Sequence, residues 1–211
     1  GQRDHEQGRG SGHRYGPQDA HLVYSVTKSF ISALTGIAID QGYIQGVHQR
    51  GLDFFPEYAP DLQEDLKRQM TVEHLLTMTA GFLWRTGSRA HELLIDRMRR
   101  SKDWTAFVLD LPVREQWYGR FQYNSAASHL LSAIITRSTG KCAQEFAAEH
   151  LYGAIGIDQA PGGVPHTYSQ ADVFANTQQW PKDPQGNSIG GWGLALKPRD
   201  MARVGYLYLN S

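Results

Sequence analysis

Cysteine is nearly absent from this chain. Cys142 is the single one among 211 residues, so no internal disulfide can form and no zinc site can be built from thiolates alone. Long apolar runs are missing too: none approaches the roughly 20 residues that cross a bilayer, and the opening residues lack the pattern of a signal peptide. Nor is there an excess of either charge. Lys plus Arg number 21 and Asp plus Glu number 21, which gives no electrostatic footprint for a nucleic acid or an acidic membrane surface. Cytoplasmic and exported locations both stay open. What is present, 40% hydrophobic and 20% charged residues, is the composition of a globular domain.

Residues 1–20 carry Gly, Arg, His and Gln with almost nothing to bury, and read as a flexible N-terminal segment. Structure is expected from His21. After Ser25 the apolar positions Phe30, Ile31, Leu34, Ile37 and Ala38 recur at helical spacing until Gln41-Gly42. A second helix is expected in "MTVEHLLTMTAGF", with Thr71 as cap and Gly81 as left-handed stop. Residues 88–110 suggest one or two helices with Leu93, Leu94, Met98, Trp104, Phe107 and Val108 inward. Helices are further expected at 125–137, at 143–152 and from Pro198 toward Leu209. The eight Gly and four Pro between Gly153 and Gly193 predict loops and turns. Strand candidates are few, "HLVY" and "GLAL". The reading is a mainly helical chain of α+β class.

The stretch "HLVYSVTKSF" places Ser25 and Lys28 three residues apart. On a helix that spacing brings both side chains to one face. A serine hydroxyl attacks only when something removes its proton. A lysine does so only as the neutral amine, which requires its usual value near 10.4 to fall by several units through burial or neighbouring positive charge. A serine opening a helix also offers its own N–H to a developing oxyanion, a contact worth about 3 kcal/mol. The same tetrapeptide equally suits a serine cap followed by a solvated lysine. The apolar run "FISALTGIAI" behind it favours a buried helix.

A second stretch, "YNSAASHLLSAIITRSTG", sets Tyr123 at a helix entrance, where a phenol can shuttle protons. Asn124 and Ser125 can cap that helix or hold a substrate carbonyl or amide. A packing tyrosine with a routine cap fits as well. In one order, "SVTKSF", "MTVEHLLTMTAGF", "YNSAASHLLSAIITRSTG" and "GGWGLALKPRDMARVGYLYL" resemble the serine β-lactamase-like superfamily. The resemblance is to its class C-related, penicillin-binding-protein-like branch of esterases and 6-aminohexanoate-dimer-hydrolase-type amidases, and it runs from Tyr24 to Leu209.

The resemblance implies a helical region packed on an antiparallel sheet, residues 21–211 forming part of such a domain and lacking much of the sheet. It implies Ser25 as acylated nucleophile, Lys28 as base or base partner and Tyr123 as second general acid/base, without a cofactor. The substrate would be a small ester, amide or peptide. Ser125 holds the third position of the family's Tyr-x-Asn motif, with Asn at 124 instead. Tyr118-Gly119 stands where relatives often have Pro-Gly, and Lys197 where a Ser or Thr cap is usual. The family's Lys-Thr-Gly or His-x-Gly triplet does not follow Tyr123. Trp84, Trp117, Tyr118 and Trp192 are candidates for an apolar acyl pocket, Trp192 foremost. Two other readings are a non-catalytic penicillin-binding-like module that holds a peptide, or an inactive truncated fragment. A metal enzyme is a third class, but His74, His91, His129 and His150 lie in separate segments without H-E-x-x-H, and His74 and His129 suit structural roles.

Overall fold

A computed structural model describes residues 16, 18–58, 65–84, 86–87, 92–158, 165, 167–169, 171–172 and 180–210. The expected flexible segment 1–20 therefore lies mostly outside the described residues, as do His91 and residues 88–90.

The fold is built around one helix, α6 (Ser125–Thr139), whose residues 125–135 are all buried. Asn124 starts it by accepting hydrogen bonds at its side-chain oxygen from the N–H groups of Ala126 and Ala127, at 2.8 and 3.1 Å. Gly140, at φ +73°, ends it in the left-handed conformation that costs a glycine least. A helix buried all round must be surrounded. α1 (Thr27–Asp40), α3 (Val72–Leu76), α5 (Trp104–Leu109) and α7 (Ala143–Ala147) pack on it. α1 contributes Phe30, Ile31, Leu34 and Ala38 to the core, the stripe expected from its spacing. Phe30 meets the rings of Tyr152 and Trp180 edge-on, each at 6.4 Å between centroids.

Two short antiparallel pairs complete the described architecture. β1 (His21–Leu22) pairs with β4 (Ala195–Leu196), joining the expected segments "HLVY" and "GLAL". β2 (Ala80–Phe82) pairs with β3 (Val113–Tyr118). The remaining helices are α2 (Asp65–Gln69), α4 (Ile95–Arg100), α8 (Gly153–Ile155) and α9 (Pro198–Leu209), with a π-helical turn at Ala148–Tyr152 between α7 and α8.

The second pair overturns one expectation. Gly81 does not stop a helix: α3 ends at Leu76, and Gly81 lies inside β2 at φ +72°. A Cβ there would stand 3.0 Å from both the N and the Cα of Tyr118, so the glycine lets β2 kink against β3 where their register shifts. Thr71 does cap α3, reinforced by His74, whose Nδ1 accepts from the Thr71 N–H at 3.2 Å. Leu93 is another correction. It is 58% exposed, because the chain turns there before α4 begins, while Met98, Trp104 and Val108 are buried as expected. None of the helices among the described residues is long and apolar enough to cross a membrane.

Candidate active site

The chain turns sharply just before α1. Tyr24 opens a short 3-10 turn, Tyr24–Val26, at φ +45°, a left-handed conformation that costs a non-glycine residue about 1–3 kcal/mol. Thr27, fully buried, holds the turn from behind. Its hydroxyl donates to the Tyr24 carbonyl at 2.6 Å and accepts from the Leu194 N–H at 3.2 Å. The Val23 N–H donates to the Leu194 carbonyl at 2.9 Å. Ser25 is lifted to the surface by this turn, with Lys28 one turn on and half-buried.

Three side chains converge there. Ser25 Oγ is 2.6 Å from Tyr123 Oη, and Lys28 Nζ donates to Ser25 Oγ at 3.2 Å. Lys28 Nζ also donates to the Gly191 carbonyl at 2.7 Å and sits 4.8 Å from the centre of the Tyr123 ring. The amine is thus fixed from two sides, one of them backbone. Tyr123 arrives from the residue before the cap of α6, 98 positions after Ser25.

The Gly191 carbonyl is placed by close packing. A Cβ on Gly191 would lie 2.8 Å from Ser125 Cβ, and one on Gly190 would lie 2.7 Å from His129 Cα and collide with the Ser128 carbonyl. Only glycines let this segment lie flat on α6. Behind it, His129 and Asp183 form a fully buried pair at 3.0 Å. Asp183 also accepts from Asn187 Nδ2 at 2.9 Å and from the N–H groups of Asn187 and Gln185 at 2.8 and 2.9 Å. His129 Nδ1 accepts from the Gly190 N–H at 3.3 Å. His129 is therefore part of the scaffold beneath the site, as is His74 in its cap.

Burial pushes the Asp183 carboxyl up, but the hydrogen bonds from His129 and Asn187 outweigh it and hold the group below the usual carboxylate range. A depressed carboxyl stabilises the fold fully above its unfolded value near 3.9, and that stability is lost as pH falls through the lower folded value. The stability lead of the parent over Asp183→Asn should accordingly be constant above about pH 5 and shrink below about pH 4. Urea titrations at several pH values measure it; a lead that does not change with pH would contradict this account.

The candidate binding residues are placed differently from the three just described. Asn124 is buried, its side-chain oxygen committed to the cap. Ser125 is packed beneath Gly191, and its N–H donates to Glu92 Oε1 at 2.7 Å. Trp192 is stacked on the buried Trp104, centroids 5.9 Å apart and planes at 28°. Trp84 is buried and donates from its indole to Glu92 at 2.7 Å, and Tyr118 lies against His74. Sequence reasoning missed Gly191, Thr27 and Glu92. The Gly-Gly pair at 190–191 carried a signal, since adjacent glycines mark close backbone approach; a single Thr or Glu carries none.

Comparison with known proteins agrees with the fold. The curated 6-aminohexanoate-dimer hydrolase of Paenarthrobacter ureafaciens is 24% identical over 206 residues, covering 93% of this chain and 47% of its own. A Bacillus anthracis structure provisionally described as a 6-aminohexanoate-dimer hydrolase matches at TM-score 0.65 and 19% identity, over 93% of this chain and 49% of that one. The class C beta lactamase of Rhodobacter sphaeroides matches at TM-score 0.57 and 16% identity, over 90% and 51%. The chain spans about half the length of these relatives. The fold is that of the β-lactamase/transpeptidase-like proteins, of α+β class, with about half of the described residues helical and small antiparallel sheets. The Beta-lactamase family model matches residues 1–211, and the chain belongs to that family.

Proposed function

We propose that the protein is a serine hydrolase that cleaves a small ester or amide through an acyl-enzyme on Ser25. One observation carries the reading. Ser25 Oγ stands between two groups able to exchange a proton with it, Tyr123 Oη at 2.6 Å and Lys28 Nζ at 3.2 Å. A general base must lie within about 2.6–3.2 Å of the atom whose proton it takes, and both groups do.

With the amine of Lys28 neutral, its contact to Ser25 runs in the opposite sense, and the Ser25 proton passes to Nζ as Oγ attacks the substrate carbonyl carbon. One remaining N–H keeps its bond to the Gly191 carbonyl, so the amine does not rotate away during transfer. The Ser25 N–H is one donor to the resulting oxyanion. Tyr123 gives its proton to the leaving alcohol or amine and is reprotonated from Lys28. Water then attacks the acyl-enzyme, and its proton returns by the same route to free Ser25. In this reading Asn124 and Ser125 act by fixing the entrance of α6, and Trp192 by backing Gly191. The relative described as a 6-aminohexanoate-dimer hydrolase favours an amide within the class.

The test is covalent labelling of the intact protein with a fluorophosphonate, followed by mass mapping of the labelled peptide. Label on Ser25 is the expected result. Label on another serine, or none under conditions in which the protein is folded, overturns the proposal.

A further inference from the structure

We infer that Glu92 is a positioning residue for Tyr123, holding the phenol at Ser25 without touching substrate; the inference rests on the serine-hydrolase reading above. Tyr123 is the last residue before the cap of α6, so the direction of its side chain is set by the backbone on either side of Asn124. Two contacts grip that backbone. The Thr86 hydroxyl donates to the Tyr123 carbonyl at 2.9 Å, and Glu92 Oε1 accepts from the Ser125 N–H at 2.7 Å. Thr86 and Glu92 also face each other as an isolated antiparallel bridge, so the two ends of the grip are tied together.

Glu92 is 9% exposed, and the hydrogen bonds to its Oε1 come from neutral donors, the Ser125 N–H and the Trp84 indole, each at 2.7 Å. A buried carboxylate is expensive unless it is hydrogen-bonded. Helix α6 already has a cap in Asn124, which serves Ala126 and Ala127, and Glu92 takes the N–H one residue earlier. The carboxylate thereby holds the first residue of α6, two positions after Tyr123. Its other partner, Trp84, is buried and follows β2, so Glu92 fastens the Tyr123 turn to the core on the β2 side. Without that oxygen, the Ser125 N–H and the Trp84 indole lose their common acceptor and the turn is free to shift. A displacement of about 1 Å at a reacting group can cost on the order of 100-fold in rate.

The experiment uses rates of Ser25 acylation by a small ester substrate on the full-length protein, at a temperature where all variants are folded. Glu92→Ala is expected to acylate about 10- to 100-fold more slowly than the parent. Glu92→Gln, which keeps an oxygen acceptor for both donors, should stay within about threefold. The readout that separates positioning from general loosening is a cycle with Tyr123→Phe. If Glu92 acts through the phenol, removing Glu92 in the Tyr123→Phe background should change the rate less than about twofold, because coupled residues do not add. An equal loss in both backgrounds, or a parent-like rate for Glu92→Ala, overturns the inference. Should Glu92→Ala not fold, Glu92→Asp, whose carboxylate falls short of the turn, is carried through the same cycle with the same criteria. Failure of the parent itself to label Ser25 would overturn the hydrolase reading instead, so the two failures are distinguishable.

Discussion

Replacement of Lys28 by alanine should slow acylation of Ser25 by about 10²- to 10⁴-fold, the range in which a positioned general base contributes. The prediction follows from how little else could take over. The phenol of Tyr123 is 2.6 Å from Oγ, but in the proposed cycle it passes protons on rather than storing them, and its ring faces the same amine at 4.8 Å. Loss of the side chain also strands the carbonyl of buried Gly191, which costs about 1–3 kcal/mol and would by itself lower thermal stability. Lys28→Arg separates the two effects. A guanidinium can still donate to the Gly191 carbonyl but stays protonated at any working pH. Its melting temperature should recover toward the parent while its acylation rate stays as low as that of Lys28→Ala. Stopped-flow labelling beside thermal denaturation measures both, and an Arg variant that acylates at the parent rate would remove Lys28 from the mechanism.

Gly190→Ala should be the most damaging single methyl group that can be added near the site. The new Cβ would stand 2.7 Å from His129 Cα and overlap the Ser128 carbonyl. Both are backbone atoms of α6, so no side chain can swing aside to make room. α6 is itself held on several sides, by α1, α3, α5 and α7, which leaves the 189–193 segment to retreat. Retreat breaks the Gly190 N–H bond to His129 and draws the Gly191 carbonyl away from Lys28. Overpacking of this kind costs about 3 kcal/mol or more, a fall of roughly 6–12 °C in melting temperature for a chain of this size. Acylation should slow together with stability. Gly205→Ala is the control, since nothing lies within 4 Å of its added methyl group in α9. Scanning calorimetry that finds Gly190→Ala as stable as Gly205→Ala would show that the segment is not pinned to α6.

How far the sequence could be read depended on whether a feature resides in side-chain spacing or in backbone. Ser25 and Lys28 were visible through a three-residue interval, and Tyr123 through its place before a strongly apolar helix. α1 and α6 were visible because their apolar periods and end residues agree, and α9 through the proline at its start. β3 was not: Val113–Tyr118 exposes Arg114, Glu115 and Gln116 in succession, so the alternation that marks a half-buried strand never develops. Gly81 misled because a left-handed glycine serves a helix stop and a strand kink alike. The acceptor for Lys28 could not be read at all, since a carbonyl looks the same at every residue; only the neighbouring glycines hinted that a backbone had to come close. Glu92 stayed hidden for a related reason. A carboxylate is usually a surface group, and nothing in the residue spacing around Glu92 marks it for burial.

The dependence of the Ser25 turn on Leu194 has a consequence for biogenesis. Thr27 and Val23 find their partners at Leu194, and Lys28 finds its own at Gly191, each more than 160 positions downstream. Contacts across such separations close late. A polypeptide still emerging from the ribosome therefore has the serine but not its surroundings, and under the proposed mechanism the Ser25 hydroxyl stays dormant until residues 191–194 have docked.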